Sequence, residues 1–110
     1  MFEKDLNIAF LLDFYGDVLS ERKRVVLDYY YNEDLSLAEI GNELGISPQG
    51  ARALIKKAEE ELHFYEEKLG LAKKFRSAQQ KSDRLLALIE KKGADGEIYQ
   101  AAQELASTVR

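Results

Sequence analysis

Residues 35–58 read LSLAEIGNELGISPQGARALIKKA, a stretch with two helix starts on either side of one glycine. Ser36 and Glu39 have the spacing of a capping box, in which each side chain accepts a hydrogen bond from the other residue's backbone N–H. Gly45 follows, and a residue without Cβ tolerates the left-handed conformation that comes after a last helical turn. The stretch therefore predicts a short helix that stops at a tight turn.

A second helix begins directly after this turn. Ser47 is the expected N-cap, and Pro48 suits the first helical position because its missing N–H leaves no bond unmade there. Apolar residues then recur in steps of four and three and form one seam: Ala51, Ile55, Ala58, Leu62, Tyr65 and Leu69. Two helices in this order across a glycine predict a helix-turn-helix, and the second of them is its recognition helix.

The outward face of the recognition helix supplies the candidate nucleic-acid contacts. Residues 47–58 contain three basic side chains and no acidic one, although the whole chain carries a net charge of −4. This local charge suits phosphates, although a few lysines also occur on ordinary solvated faces. The expected contacts are Ser47 and the helix N-terminus for a phosphate, Gln49 and Arg52 for base edges, and Lys56 and Lys57 for backbone charge.

Five fragments spread over residues 6–70 match one family. They are Phe14-Tyr15-Gly16, Leu19-Ser20-Glu21-Arg22-Lys23, Leu27-Asp28-Tyr29-Tyr30, Asp34-Leu35-Ser36-Leu37-Ala38-Glu39-Ile40 and Tyr65-Glu66-Glu67-Lys68-Leu69. In these fragments the chain resembles the bacterial YlxM-like family, whose helix-turn-helix is similar to region 4 of sigma factors. Genes of that family lie beside those of the signal recognition particle. The resemblance therefore implies an accessory role in that targeting pathway, with components of the particle as partners.

Composition indicates one small helical domain with an appended segment. The 110 residues are 45% hydrophobic and 33% charged, with seven glycines and one proline. The absence of cysteine excludes a disulfide framework and a cysteine-based zinc site. The sequence shows no targeting signal at its N-terminus and no run of the roughly 18 apolar residues needed to span a membrane. We therefore expect a cytoplasmic protein without a membrane span.

The first predicted helix, within residues 6–19, is apolar on more than one side. Such a helix is either enclosed by other helices or forms a dimer interface. Together with two long apolar stripes elsewhere, it predicts a homodimer. Ser20 then caps a helix whose first turn holds the basic triplet Arg22-Lys23-Arg24, where the helix dipole disfavours cations. We interpret the triplet as solvated surface, with contact to an anionic partner as the alternative.

Residues 71–110 predict a helical hairpin appended to a helix-turn-helix domain of residues 1–70. The segment Gly93-Ala-Asp-Gly96 separates two amphipathic stripes. The first stripe comprises Phe75, Ala78, Ser82, Leu85, Leu86 and Ile89, and the second comprises Ile98, Ala102, Leu105 and Val109.

The first helix of this hairpin is the most basic part of the chain. Residues 71–92 contain seven basic and two acidic side chains, a net charge of +5. A secondary basic surface is expected at Lys73, Lys74, Arg76, Lys81 and Arg84, the alternative being an ordinary solvated face. A dispersed row of cations suits the phosphates of folded RNA, whose deep major groove is closed to side chains, so we expect structured RNA to be preferred over duplex DNA.

No residue pattern supports catalysis, a metal site or a cofactor. His63 is the only histidine, and its helical neighbours offer no nucleophile for a triad, so we expect it to be a partly covered surface side chain. Glu59, Glu60 and Glu61 point in different directions around a helix and cannot converge as an acid–base pair. The glycines do not form a phosphate-binding loop after a strand. We expect no enzyme activity.

The sequence thus predicts an all-α protein, with four or five helices around a sigma-region-4-like helix-turn-helix and a C-terminal helical hairpin. The leading function is a nucleic-acid-binding regulator connected with the signal recognition particle. The alternatives are a DNA-binding transcriptional regulator and a protein-interaction adaptor whose helix-turn-helix has lost DNA affinity. An isoelectric point near 5.1 favours the adaptor, as do Pro48 and Ala53, which bond poorly to base edges.

Overall fold

The computed structural model describes residues 4–109, and over this range the chain is all-α, which confirms the predicted fold class. A short 3-10 turn, Gly16–Val18, follows the first helix. The six helices are α1 (Leu6–Tyr15), α2 (Glu21–Tyr31), α3 (Leu37–Leu44), α4 (Pro48–Leu69), α5 (Leu71–Lys92) and α6 (Gly96–Thr108). No helix in the described part of the chain is long and apolar enough to cross a membrane.

The chain divides into two compact units, residues 1–69 and 70–110. In the first unit α4 packs against each of α1, α2 and α3, and in the second unit α5 packs against α6. The division falls directly after α4, at Gly70, which has a φ of +62°. The division into a helix-turn-helix domain of residues 1–70 and a C-terminal helical extension of residues 71–110 stays a prediction.

The apolar seam of α4 forms the centre of the first unit. Ala51, Ile55, Ala58 and Leu62 are completely buried. The largest fully buried side chains around them are Ile8, Leu11, Val26, Leu27 and Ile40, which come from α1, α2 and α3. Burying each of the larger aliphatic side chains contributes roughly 1.5–3 kcal/mol, so this seam sets the position of α4. The seam is shorter than predicted, because Leu69 in the last turn of α4 is 56% exposed.

Helix α1 is largely enclosed within the first unit. Its buried residues are Ile8, Leu11, Leu12 and Tyr15. This agrees with the interpretation that the apolar helix is enclosed by other helices. The helix ends at Tyr15, before the predicted limit, because the chain tightens into the 3-10 turn. Leu19 is nevertheless buried beyond that turn.

The hairpin of α5 and α6 forms as predicted, but the buried face of α6 differs in part from the predicted stripe. Asp95 caps α6 by accepting a hydrogen bond from the Ile98 N–H at 2.9 Å. The buried residues of α6 are Ala102 and Ala106, whereas Ile98 and Leu105 are about half exposed. Large apolar residues flank the alanines on α6, so periodicity alone left its rotation open. The small alanines favour the observed rotation because they permit close approach between helices.

Candidate nucleic-acid interface

The first helix of the helix-turn-helix begins with the predicted capping box. The Glu39 N–H donates to Ser36 Oγ at 3.1 Å, and the Ser36 N–H donates to Glu39 Oε1 at 3.0 Å. The bond from the Ser36 N–H, followed by hydrogen bonding from the Ser36 side chain to the carboxylate, holds the pKa of the Glu39 carboxyl below its ordinary value. The start of α3 is therefore fixed by its own sequence.

The turn between α3 and α4 depends on two glycines. Gly45 adopts the left-handed conformation with a φ of +71°, and both its N–H and that of Ile46 donate to the Gly41 carbonyl. A Cβ placed on Gly41 would lie 2.6 Å from the Ile46 carbonyl oxygen, a distance that real Cβ atoms do not adopt. Gly41 therefore allows the chain after the turn to lie against α3, a role that its place in the apolar pattern did not reveal.

Ser47 caps the recognition helix α4, as predicted. Its Oγ accepts a hydrogen bond from the Gly50 N–H at 2.9 Å, and its carbonyl accepts one from Ala51. Because a hydroxyl donates as well as accepts, this cap leaves Ser47 able to donate to a phosphate oxygen.

The candidate contacts on α4 stand on one exposed face. Gln49, Arg52, Lys56 and Lys57 are all exposed, and Ala53 lies among them. At 3.6 residues per turn these positions span an arc of about 140°, on the side opposite the buried seam. The structure therefore brings together the predicted base-reading and phosphate-contacting residues.

The acidic half of α4 is occupied by hydrogen bonds within the protein. Glu59 accepts a hydrogen bond from the Tyr31 hydroxyl, and Glu61 accepts one from the Lys23 ammonium at 2.7 Å. Burial, reinforced by the bond to Glu59, raises the pKa of Tyr31 above its ordinary range.

Two further tyrosines bond to this acidic half. Tyr65 donates to Glu61 at 2.8 Å, and Tyr15 donates to Glu66 at 2.7 Å. Sequence reasoning missed these carboxylates as structural groups, since most of their partners are 28 or more residues away in the chain. The two halves of α4 thus differ in their surroundings. The basic half is exposed to solvent, whereas the acidic half bonds to neighbouring helices and holds α4 against them.

The basic triplet of α2 is not one surface. Lys23 pairs with Glu61 on α4, and Arg24 lines a cleft that also contains Asp13, Asp17 and Asp28. Arg22 lines a different cleft, beside Lys57 of the recognition helix. The reading of the whole triplet as solvated surface is therefore wrong for Lys23, because its ammonium is partly buried in an ion pair between two helices.

The secondary basic surface lies on α5, in the second unit. Its predicted residues, Lys73, Lys74, Arg76, Lys81 and Arg84, are all exposed. Lys73 and Arg84 are about three helical turns apart and share one face, with Lys81 beside them. The residues of α4 belong to the first unit, so the candidate sites occupy separate units of the chain.

His63 is a surface side chain, as expected. It is about half exposed, and its Nε2 lies 3.8 Å from a carboxylate oxygen of Asp5. Within residues 4–109 no group of three or more histidine, cysteine or acidic residues is placed to hold a metal ion.

Comparison with known proteins gives the chain a family. The family described as "Putative helix-turn-helix protein, YlxM / p13 like" matches residues 2–105. The chain belongs to this family. The resemblance that the sequence showed over residues 6–70 thus extends through α5 and most of α6 in this YlxM/p13-like protein.

Similar proteins are found in several bacteria. The chain is 37% identical over 107 residues to UPF0122 protein Teth514_1714 of Thermoanaerobacter sp. (strain X514), which covers 94% of this chain and 92% of that protein. It is 39% identical over 92 residues to UPF0122 protein lin1916 of Listeria innocua serovar 6a, which covers 84% of each. The YlxM/p13-like family membership thus applies to nearly the whole length of the chain.

Proposed function

We propose that this YlxM/p13-like protein is a nucleic-acid-binding regulator that acts in the cytoplasm and has no enzyme activity. One observation carries the proposal: the exposed row of Gln49, Arg52, Lys56 and Lys57 on the N-terminal half of α4. A recognition helix contacts base edges through this part, while basic side chains bind phosphates. Within α4, the acidic residues that would repel a nucleic acid begin only at Glu59.

The finer role that we propose is that of an accessory factor of the signal recognition particle pathway. Its support is the family resemblance, in which the genes lie beside those of the particle. Structured RNA is then the preferred ligand, and components of the particle are the proposed partners.

We also propose that the chain forms a homodimer. Its support is a set of four large apolar side chains left 40–53% exposed on the hairpin, Leu85, Leu88, Ile98 and Leu105. Exposed apolar surface of this kind marks interfaces. Light scattering should give the mass of a dimer, and a monomer at high micromolar concentration would contradict this part of the proposal.

The decisive experiment measures binding of the full chain to labelled duplex DNA and to structured RNA at several salt concentrations. Counterion release makes affinity for phosphates fall steeply as salt rises. The variant Lys56→Ala/Lys57→Ala should weaken binding and lower the salt slope by about 0.9 for each lysine on duplex DNA. The matched control, Arg24→Ala/Lys68→Ala, removes two exposed cations from the same unit outside the proposed face and should leave the slope unchanged.

Arg52→Ala separates base reading from charge. If Arg52 reads a base edge, its removal should cost about 1–3 kcal/mol and relax preference at one position. If the triple variant of Arg52, Lys56 and Lys57 binds as tightly as the natural chain, the proposed function is wrong.

The alternative function is a protein-interaction adaptor. The observation that favours it is that the exposed face of α4 has few side chains able to bond to base edges. Pro48 and Ala53 offer no hydrogen-bonding group there. The binding experiment distinguishes the two functions, because an adaptor has no steep salt dependence toward nucleic acid. If the chain binds duplex DNA and does not bind structured RNA more tightly, the result favours a transcriptional regulator.

A further inference from the structure

A shallow cleft of about 260 Å³ lies between the start of α2 and the recognition helix. Its lining contains two cationic side chains and no carboxylate. The lining residues are Arg22, Ile46, Gly50, Ala53, Leu54 and Lys57. Arg22 and Lys57 are both exposed, so their charges are accessible from solvent.

The two cations of this cleft have no ion-pair partner among the residues that the structure describes. Within residues 4–109 neither Arg22 nor Lys57 forms an ion pair with a carboxylate. Two cations without an ion pair are unusual in this part of the chain, because carboxylates outnumber cations there. Residues 1–70 contain eight basic and fifteen acidic side chains, a net charge of −7. The neighbouring Arg24, in contrast, shares its cleft with three aspartates. Two accessible cations on one cleft therefore make it a locally positive surface on an acidic unit.

The cleft is continuous with the proposed nucleic-acid face. Ala53 and Lys57 belong to both, so a polymer that lies along the outward face of α4 passes the mouth of the cleft. The apolar floor of Ile46, Ala53 and Leu54 suits the carbon atoms of a backbone sugar, and the cations suit the adjoining phosphate.

We propose that Arg22 contacts a backbone phosphate of the nucleic acid bound by the recognition helix, with Lys57 as its companion across the cleft. This inference rests on the proposed function and adds a second helix to the interface. Arg22 lies in the first turn of α2, where the helix dipole disfavours a cation and favours an anion. A bound phosphate offsets that unfavourable placement. The contact positions the polymer relative to the recognition helix and carries no base specificity of its own.

The test compares Arg22→Ala with Arg24→Ala in the full chain. The two arginines are exposed on the same helix and carry the same charge, but only Arg22 reaches this cleft. Binding to labelled duplex DNA and to structured RNA is measured between about 50 and 200 mM salt. Arg22→Ala should bind several-fold more weakly than the natural chain and lower the salt slope on duplex DNA by about 0.9. Arg24→Ala should leave the slope unchanged.

Two further variants test the role of Arg22 itself. Arg22→Lys should restore most of the slope, because the charge returns, but not the full affinity, because lysine lacks the paired donors of a guanidinium. Arg22→Ala/Lys57→Ala should lose about twice the slope of either single variant. Equal melting temperatures for all variants are expected, since both side chains are exposed.

The outcomes separate this inference from the proposed function. If Lys56→Ala/Lys57→Ala weakens binding but Arg22→Ala does not, the phosphate contact is wrong and the proposed function stands. If Arg24→Ala lowers the salt slope as much as Arg22→Ala, the slope responds to the loss of any positive charge on α2. The specific contact of Arg22 with a phosphate is then wrong. If Arg22→Ala weakens binding to a protein of the signal recognition particle and leaves nucleic-acid binding unchanged, the cleft is a protein site and the inference is overturned. If no variant changes binding, both are wrong.

Discussion

The hydroxyl of Tyr15 donates a hydrogen bond of 2.7 Å to the carboxylate of Glu66, which joins residues 51 positions apart. The bond ties the last residue of α1 to the acidic half of α4. The Tyr15 ring is buried and also lies against the Tyr65 ring, with centroids 6.0 Å apart. The proposed nucleic-acid face lies on the N-terminal half of α4, and these contacts at the other end hold the helix in place.

Replacement of Tyr15 by phenylalanine should destabilise the first unit moderately. The ring and its packing remain, and the hydrogen bond to Glu66 is lost. Because this bond has a charged acceptor and is partly buried, we expect a loss of about 1–2 kcal/mol in the free energy of unfolding. Urea unfolding of Tyr15→Phe measures it. Tyr29→Phe is the control, since the Tyr29 hydroxyl forms no hydrogen bond among residues 4–109, and an equal loss in both variants would contradict the assignment.

Gly41→Ala should disrupt the turn of the helix-turn-helix. The new Cβ would lie 2.6 Å from the Ile46 carbonyl oxygen, and backbone must move to accept it. We expect a loss of about 1–3 kcal/mol, as for other overpacked sites, together with weaker nucleic-acid binding. Gly16→Ala is the matched control because Gly16 is also buried, yet its Cβ would meet only side chains at ordinary contact distances, Leu12 at 3.5 Å and Arg24 at 3.9 Å. Urea denaturation that ranks the two variants equally would show that the close approach is unimportant.

The ion pair of Lys23 and Glu61 should make stability depend on pH. Hydrogen bonds, first from Lys23 and then from Tyr65, hold the pKa of the Glu61 carboxyl below its ordinary value of 4.5. A lowered carboxyl pKa stabilises the fold above the unfolded-state pKa, and this contribution is lost as pH falls through the folded-state pKa. A double-mutant cycle with Lys23→Met and Glu61→Gln should give a coupling of about 0.5–1 kcal/mol at neutral pH. The same cycle repeated in acid should show the coupling disappear below pH 4.5, and a constant coupling would refute the assignment.

Ser82→Ala should stabilise the hairpin. Ser82 lies in α5 and is only 2% exposed, and its Oγ has no hydrogen-bond partner within the described residues. A buried hydroxyl without a partner costs roughly 1–3 kcal/mol, so its removal should raise the free energy of unfolding by about 1 kcal/mol. Ser77→Ala, on the same helix but partly exposed, shows how much of the gain comes from helix propensity alone. Thermal unfolding compares them, and an unchanged or lower stability for Ser82→Ala would contradict the prediction.

Local signals in the sequence predicted the frame of the helix-turn-helix. The capping box of Ser36 and Glu39, the left-handed Gly45 and the cap at Ser47 all involve residues within a few positions of one another, and all are confirmed. The exposure of the recognition-helix residues followed from the 3.6-residue period, because the buried seam occupies the other side of α4.

Contacts between distant residues could not be predicted in this way. Lys23 and Arg22 are adjacent in sequence, yet one pairs with Glu61 and the other lines the cleft beside Lys57. Adjacent residues of a helix point about 100° apart. Which part of α4 each of them meets is decided by the packing of α2 on α4, which no local pattern encodes. The rotation of α6 is a similar case, since Ala106 is buried while the larger Leu105 is about half exposed.

The last prediction concerns which polymer the chain prefers. Gln49 and Arg52 are the only two side chains expected to read base edges, which is too few for strong DNA specificity. The exposed cations of α5 instead suit the phosphates of folded RNA, so we expect structured RNA to be bound more tightly than duplex DNA of equal charge. The variant Lys74→Gln/Lys81→Gln/Arg84→Gln should remove most of this preference while leaving DNA binding by α4 in place.

Competition at one fixed salt concentration tests this preference, because salt alone changes every phosphate contact. The full chain is first bound to labelled RNA, and unlabelled duplex DNA is then added at equal phosphate concentration. We expect the natural chain to retain the RNA and the triple variant to release it. Lys91→Gln/Lys92→Gln is the control, since it removes charge from the last turn of α5, outside the proposed basic surface, and should retain the RNA. Displacement of the RNA from the natural chain by the duplex would overturn the preference and favour a role in transcription.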